Sequence, residues 1–312
     1  MAAWHRTLTS TSTSRWGCRE RSWARPFTKG RSLIPELPEV ETVRRELEPW
    51  LTGRRVLSAE RLAPAGPKYA DLERAGGQTI MSVRRRGKFL LLPLSGGDDL
   101  IVHLGMTGVV APGPREGESP HLRVRLRLDG GAPDTLDFHD PRRFGRFLVV
   151  KSQQYQTLPT LAALGPEPLE EGFTDAGFSA ALRRSRAPIK TYLLSQRPVA
   201  GVGNIYADEA LWRARVHPLT PANALSEAQV VVLRIAIRDV LAASIAANGT
   251  TLRDYRTPAG ESGEFEEYLD VYGRGGAACR NCGAVLVKSV VGQRGTVHCP
   301  ACQPSSAKAG AR

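Results

Sequence analysis

Four of the five cysteines form two pairs, Cys279-x2-Cys282 and Cys299-x2-Cys302, separated by 16 residues. Two such knuckles at this distance can arrange four thiolates tetrahedrally around zinc. All four ligands come from protein, so the expected site is closed and structural, with no open position for catalysis. A unit this small cannot fold on apolar burial alone, and metal is expected to supply much of its stability. His298 lies beside the second pair and is read as a bystander. Zinc ribbons serve many functions, so this motif names none by itself. Cys18 stands alone and nothing resembles a disulfide framework. A reducing cytoplasm is therefore the expected compartment.

Other segments pair chemistry-bearing residues with turns or helix starts. Pro35-Glu36-Leu37-Pro38-Glu39-Val40-Glu41-Thr42 sets a proline beside an acid and opens a helix. Pro38 suits a first helical turn, and Glu39 and Glu41 suit its positive end. In the segment Pro198 to Ala210, glycines before a helix let backbone amides approach a phosphate, and Asn204 can donate to the same group. Arg84-Arg85-Arg86-Gly87-Lys88-Phe89 starts a strand with a run of cations, which is a solvated face or a phosphate contact. Asp140-Pro141-Arg142-Arg143-Phe144-Gly145 and His103-Leu104-Gly105-Met106-Thr107-Gly108 add an arginine and two large apolar side chains. Taken singly, each has a mundane reading. Met106 and Phe144 would be core, Arg142 a solvated turn arginine, and Glu36 a carboxylate stabilised by the helix dipole.

Together these segments resemble the bacterial formamidopyrimidine-DNA glycosylases, which repair oxidised purines in DNA, from residue 35 to about 303. The resemblance implies double-stranded DNA containing an oxidised base as partner, one structural Zn2+ ion and a monomer. It casts Pro35 as the nucleophile, with its free amine at the mature N-terminus, and Glu36 as the group that manages protons at the sugar ring. Lys88 would contact a phosphate near the lesion and take part in proton transfer. Arg294, between the cysteine pairs, would bind the phosphates flanking the lesion and assist the second elimination. Met106, Arg142 and Phe144 would fill the hole left by the everted base. His121, Asn204, Arg184 and Arg186 would contact DNA. Leu37, Met106, Arg142 and Phe144 favour this type over the sister endonuclease VIII type, which acts on oxidised pyrimidines. A non-catalytic DNA-binding protein on the same scaffold is a further reading.

The chemistry implied is an attack of a secondary amine on the deoxyribose C1′, giving an iminium as the base departs. The iminium acidifies C2′, and two eliminations leave a one-nucleotide gap. With Ile34 in front, the Pro35 nitrogen is a tertiary amide and cannot attack. Residues 1–33 are rich in Ser, Thr and Arg, with no apolar period. They read as an organelle transit peptide or as upstream DNA translated from a start placed too early. The second reading is preferred, with translation beginning at the Ile34 codon and the initiator methionine removed; proteolysis after Ile34 is the alternative.

The elements that must position these residues follow from hydrophobic period. Val40, Val43, Leu47, Trp50 and Leu51 predict an amphipathic helix from Pro38 to Leu51, with Gly53 as the stop. Strands are expected at 78–84, 88–94, 99–104, 121–128, 134–138 and 145–150. In the fourth, Leu122, Val124, Leu126 and Leu128 alternate with Arg123, Arg125 and Arg127, which predicts a half-buried strand with a basic outer face. Helices are expected at 174–184, 188–195, 203–213, 226–247 and 250–254. Ser226 and Gln229 form a capping box, whereas Thr174 and Gly177 do not. Residues 256–268 read as a mobile loop over the everted base.

The expected class is α+β. The resemblance implies an N-terminal β-sandwich with flanking helices, a helical helix–two-turn–helix domain and a small zinc-finger hairpin. The expected division is an extension at 1–34, a catalytic domain at 35–152, a linker at 153–169, a DNA-binding domain at 170–270, the zinc finger at 271–304 and a disordered tail at 305–312. The net charge is +12, which points to a polyanionic partner. Half of that excess sits in residues 1–33, where seven basic residues face Glu20 alone. No run of about 18 apolar residues exists, so no membrane span is expected.

Overall fold

The computed structural model describes residues 35–113, 119–250 and 265–305, all within one compact unit spanning 31–312. The expectations for the extension at 1–34, for a helix at 250–254 and for most of the loop at 256–268 and the tail lie outside the described residues.

Helix α1 (Leu37–Leu51) begins at Glu36, whose backbone N–H donates to Glu39 Oε2 at 2.8 Å. Pro38 sits in the first turn, as its fixed φ favours. Val40, Val43, Leu47, Trp50 and Leu51 form the buried face. Leu37 instead joins the core of the helical half, with Phe173, Val202 and Tyr206. The start of α1 is thus plugged into the second half of the chain.

Two four-stranded antiparallel sheets follow, made from β1 (Val56–Arg61), β2 (Arg84–Arg86), β3 (Phe89–Pro93), β4 (Asp98–His103), β5 (Val109–Gly113), β6 (Leu122–Leu128), β7 (Thr135–His139) and β8 (Arg146–Lys151). Their orders are β1-β6-β7-β5 and β2-β3-β4-β8. The expected strand at 78–84 is not one. Thr79 and Ile80 make isolated bridges, and pairing begins at Arg84. The two unexpected strands, β1 and β5, both lie at sheet edges. An edge tolerates the exposed face of β1 and Pro112 in β5, and so leaves no alternating pattern to read.

The basic face expected for β6 is also corrected. A bulge between Leu122 and Val124 turns Arg123 inward, where it is 6% exposed and donates to Asp140 O and Pro120 O. Arg125 forms a two-pronged pair with Asp137. Arg127 stays exposed.

A short helix, α2 (Pro159–Ala162), covers the second sheet through Leu158 and Leu161. Then come α3 (Asp175–Arg183), α4 (Ile189–Leu194), α5 (Asn204–Arg213) and α6 (Glu227–Ala246), packed on a shared apolar core. Ser226 and Gln229 make the predicted reciprocal cap. Thr174 caps α3 alone, by accepting from the Gly177 N–H. The chain closes with a hairpin, β9 (Val287–Val291) and β10 (Arg294–His298). Its two-residue turn, Gly292-Gln293, has positive φ at both positions, the geometry that matches strand twist.

Candidate functional site

Glu36 is 2% exposed although it is a carboxylate. Its oxygens accept the N–H groups of Gly203 at 2.7 Å, Ile205 at 2.9 Å and Tyr206 at 3.5 Å. These donors are the start of α5, where unpaired N–H groups and the helix dipole favour an anion. The sequence leads one to expect a phosphate on these amides. In the structure they are already given to the Glu36 carboxyl group, which sits at the helix end in place of a phosphate. Burial pushes the Glu36 carboxyl up to about 7, against the pull of Lys88 and the N–H donors and with the push of Glu39.

Lys88 is 8% exposed. Burial holds its ammonium below the usual lysine range, opposed by Glu36 and Glu39 and aided by Arg294. Gly203 shows how closely these groups meet. A Cβ there would fall 2.3 Å from Glu36 Cδ and 2.4 Å from Lys88 Nζ, so only glycine fits. Glu39 backs the pair. Its carboxylate accepts from the Glu36 N–H, the Tyr206 hydroxyl at 2.7 Å and the Thr250 N–H at 2.8 Å.

The arginine run before Lys88 is largely internal. Arg85 pairs with Glu41 and Glu167, and Arg86 with Glu167. Glu167 also accepts the Gly87 N–H at 2.6 Å. Arg84 is the exposed member.

The two loops expected to meet a duplex are packed backbone to backbone. Gly105 has φ +66°, and a Cβ there would lie 2.6 Å from the Gly145 nitrogen. Asp140, fully buried, ties both loops by accepting from the Thr107 hydroxyl and the Gly145 N–H, each at 2.7 Å. This brings Met106, half-buried, near Arg142 and Phe144, both exposed. The Arg142 guanidinium lies 4.9 Å from the Phe144 ring centre. His121 is half-buried, and its carbonyl accepts from the Asp140 N–H.

Arg184 and Arg186 are exposed, whereas Arg183 pairs with Glu227. Arg294 is exposed at the first position of β10. Asn204 donates its side-chain N–H to Gly295 O at 3.0 Å, so here it serves the hairpin. Two residues given no role from sequence also meet there: Lys190 and Asp208, both fully buried, with charged atoms 2.7 Å apart. A lysine in a helical run reads as a surface residue, and only the pairing reveals otherwise.

The four sulfur atoms of Cys279, Cys282, Cys299 and Cys302 lie within 4.8 Å of one another. Ligands around a tetrahedral zinc at about 2.3 Å stand roughly 3.8 Å apart, so this cluster is close to a metal-holding arrangement. Burial raises the Cys279 thiol, yet the N–H groups of Cys282 and Asn281 and the Trp212 indole bring it down to about 6. Burial pushes the Cys299 thiol up to about 12. Among the described residues these cysteines form the one group able to hold a metal ion. His298 stands apart, its ring against that of His217.

Family models match two stretches: the formamidopyrimidine-DNA glycosylase N-terminal domain at residues 34–147 and that family's H2TH domain at 164–256. The chain belongs to the formamidopyrimidine-DNA glycosylase family. The Deinococcus radiodurans glycosylase of that name is 47% identical over 285 residues, covering 87% of this chain and 98% of the relative. The crystal structure of the Thermus thermophilus protein superposes with a TM-score of 0.81 at 47% identity, over 87% of this chain and all of that one. The Lactococcus lactis glycosylase in complex with abasic-site DNA superposes with a TM-score of 0.78 at 35% identity, again over 87% of this chain and all of that one. For this glycosylase family member, the sandwich, the helical half and the cysteine cluster are the predicted architecture.

Proposed function

We propose that this chain is a DNA base-excision repair glycosylase that also acts as an abasic-site lyase, excising oxidised purines such as 8-oxoguanine and formamidopyrimidines. Family membership supports the glycosylase. The observation that carries the mechanism is the meeting of Glu36 and Lys88 at Gly203, beside Pro35.

Pro35 acts as a free secondary amine, which requires that the mature protein begin at this residue. An α-amino group titrates near pH ~8, so on the order of a tenth is neutral at pH 7. The neutral amine attacks C1′, the bond from C1′ to the base breaks, and the proton lost by the attacking nitrogen balances the one the base carries away. The Glu36 carboxyl, raised to about 7 by burial, is partly protonated near neutral pH and delivers its proton to the ring oxygen as the C1′–O4′ bond breaks, leaving C1′ and the Pro35 nitrogen joined as an iminium. Loss of a C2′ proton then expels the 3′ phosphate, and a second elimination expels the 5′ phosphate. Lys88 holds a phosphate beside the lesion, and Arg294 the flanking phosphates. Arg184, Arg186, His121 and Asn204 support the backbone grip. Arg142 faces the orphaned base, while Phe144 and Met106 fill the stack, as apolar wedges do when a duplex bends. The four cysteines would hold one zinc ion, which would stabilise the hairpin as a closed structural site. The monomer is the working unit.

Borohydride trapping tests this reading. A Pro35-starting protein should crosslink to an 8-oxoguanine duplex and leave a one-nucleotide gap without reductant. Crosslinking only to oxidised-pyrimidine duplexes would reassign the substrate; no crosslink to any lesion would remove the enzyme.

A further inference from the structure

The Lys190–Asp208 pair is the most deeply buried ion pair among the described residues, with both side chains wholly shielded from solvent. Isolated buried charges are costly, and such a pair persists where its remaining hydrogen bonds are met. The hydrogen bonds that the pair makes beyond itself go to one element, the β10 strand of the hairpin. Lys190 Nζ donates to Gly295 O at 3.0 Å and to Thr296 Oγ1 at 2.8 Å. Asp208 Oδ2 accepts the Val297 N–H at 3.0 Å. Lys190 belongs to α4 and Asp208 to α5, so two helices converge on three consecutive residues of β10. The hairpin tip seats on the same surface, since a Cβ on Gly292 would lie 2.7 Å from Thr191 Oγ1.

Arg294 is the residue immediately before those three, and its charge is felt at both Lys88 and Lys190. We infer that Asp208 is a positioning residue: by neutralising Lys190 and gripping Val297, it fixes the backbone of Gly295–Val297 and thereby aims Arg294 toward the Lys88 side of the site. This rests on the proposed phosphate-binding role of Arg294. The metal sulfurs and the ion pair act on different parts of the hairpin. The cysteines close its base, while Asp208 and Lys190 dock the strand that leads from its tip. A hairpin with its metal intact but without the pair should therefore be folded and misaimed.

The test is a double-mutant cycle on affinity for a duplex carrying a non-cleavable abasic analogue. Binding needs no free amine, so the full-length chain serves. Arg294→Ala alone should weaken binding by on the order of tenfold or more. Asp208→Asn should weaken it by a comparable factor with zinc content and helical circular dichroism unchanged. In the Arg294→Ala background, Asp208→Asn should cost less than about twofold, because linked residues are not additive. If Asp208→Asn loses zinc or helix signal, Lys190→Met/Asp208→Leu, which leaves no unpaired charge, takes its place under the same criterion. An equal loss in both backgrounds, or no loss in either, overturns the inference while the reading of Arg294 stands. An Arg294→Ala variant that binds like wild type overturns that reading, and the inference with it.

Discussion

Two buried carboxylates at α5 each accept three backbone N–H groups, and different roles are proposed for them. Glu36 accepts three N–H groups at the start of the helix. Glu209, in the body of the helix, accepts those of Asp270, Val271 and Tyr272. Burial raises both above the usual carboxylate range. What differs is the company. Glu36 has Lys88 and Pro35 beside it, whereas the charge that acts on Glu209 is the like charge of Asp270. Backbone donors alone make a staple, here joining α5 to the segment that leads into the cysteine unit. A cation beside the same donor pattern, together with the free Pro35 amine that the proposed mechanism requires, is what would make Glu36 part of a reactive centre.

The largest expected effect separates the two roles outright. Retaining residues 1–34 turns the Pro35 nitrogen into an amide, so the full-length chain should show no borohydride crosslink. Intact mass of the native protein gives the companion measurement. Residues 1–34 found attached to the crosslinking species would sink the assignment of Pro35. Next, Glu36→Gln should slow base excision by about 10²–10⁴-fold while duplex affinity changes little. Single-turnover excision together with a binding titration checks this, and an equal loss of both would make Glu36 a staple like Glu209.

The third effect is on stability. Between pH 4.5 and about 7 the folded protein keeps a Glu36 proton that the unfolded chain has released. This contribution is complete below the lower value and disappears as pH rises through the upper one. Relative to Glu36→Gln, wild type should therefore lose up to about 3 kcal/mol across that window. Urea melts of both proteins at pH 5 and pH 8 measure it; a constant difference would contradict the burial-raised carboxyl. The smallest effect is at the other carboxylate. Glu209→Gln should cost about 1–3 kcal/mol, the range for disturbing buried hydrogen bonds. Excision per folded molecule should stay within about twofold of wild type, and a selective loss of excision would erase the contrast between the two carboxylates.

Much of this is legible in the chain itself. Helical period places α1 and α3 to α6 within a residue or two at each end, because apolar spacing and caps are local signals. The paired cysteines announce a cluster that the fold does bring together. β1 and β5 escape because the exposed face of the one and Pro112 in the other leave no alternation to read. Arg85, Arg86 and Arg123 look like surface cations, yet their partners lie on other elements, which spacing along the chain does not encode. The partners of Glu36 are invisible for the same reason, being about 170 positions away in sequence.

That distance has a consequence for how the site tolerates change. The groups that hold Glu36 belong to the main chain, so the side chains of the buried Ile205 and Tyr206 are free to serve the core and Glu39 instead. Ordinary substitutions there leave the donors in place, and only proline at 205 or 206 deletes one. The grip on Glu36 is thus separate from what those side chains do, with Gly203 as the position where any added carbon would strike the carboxyl itself.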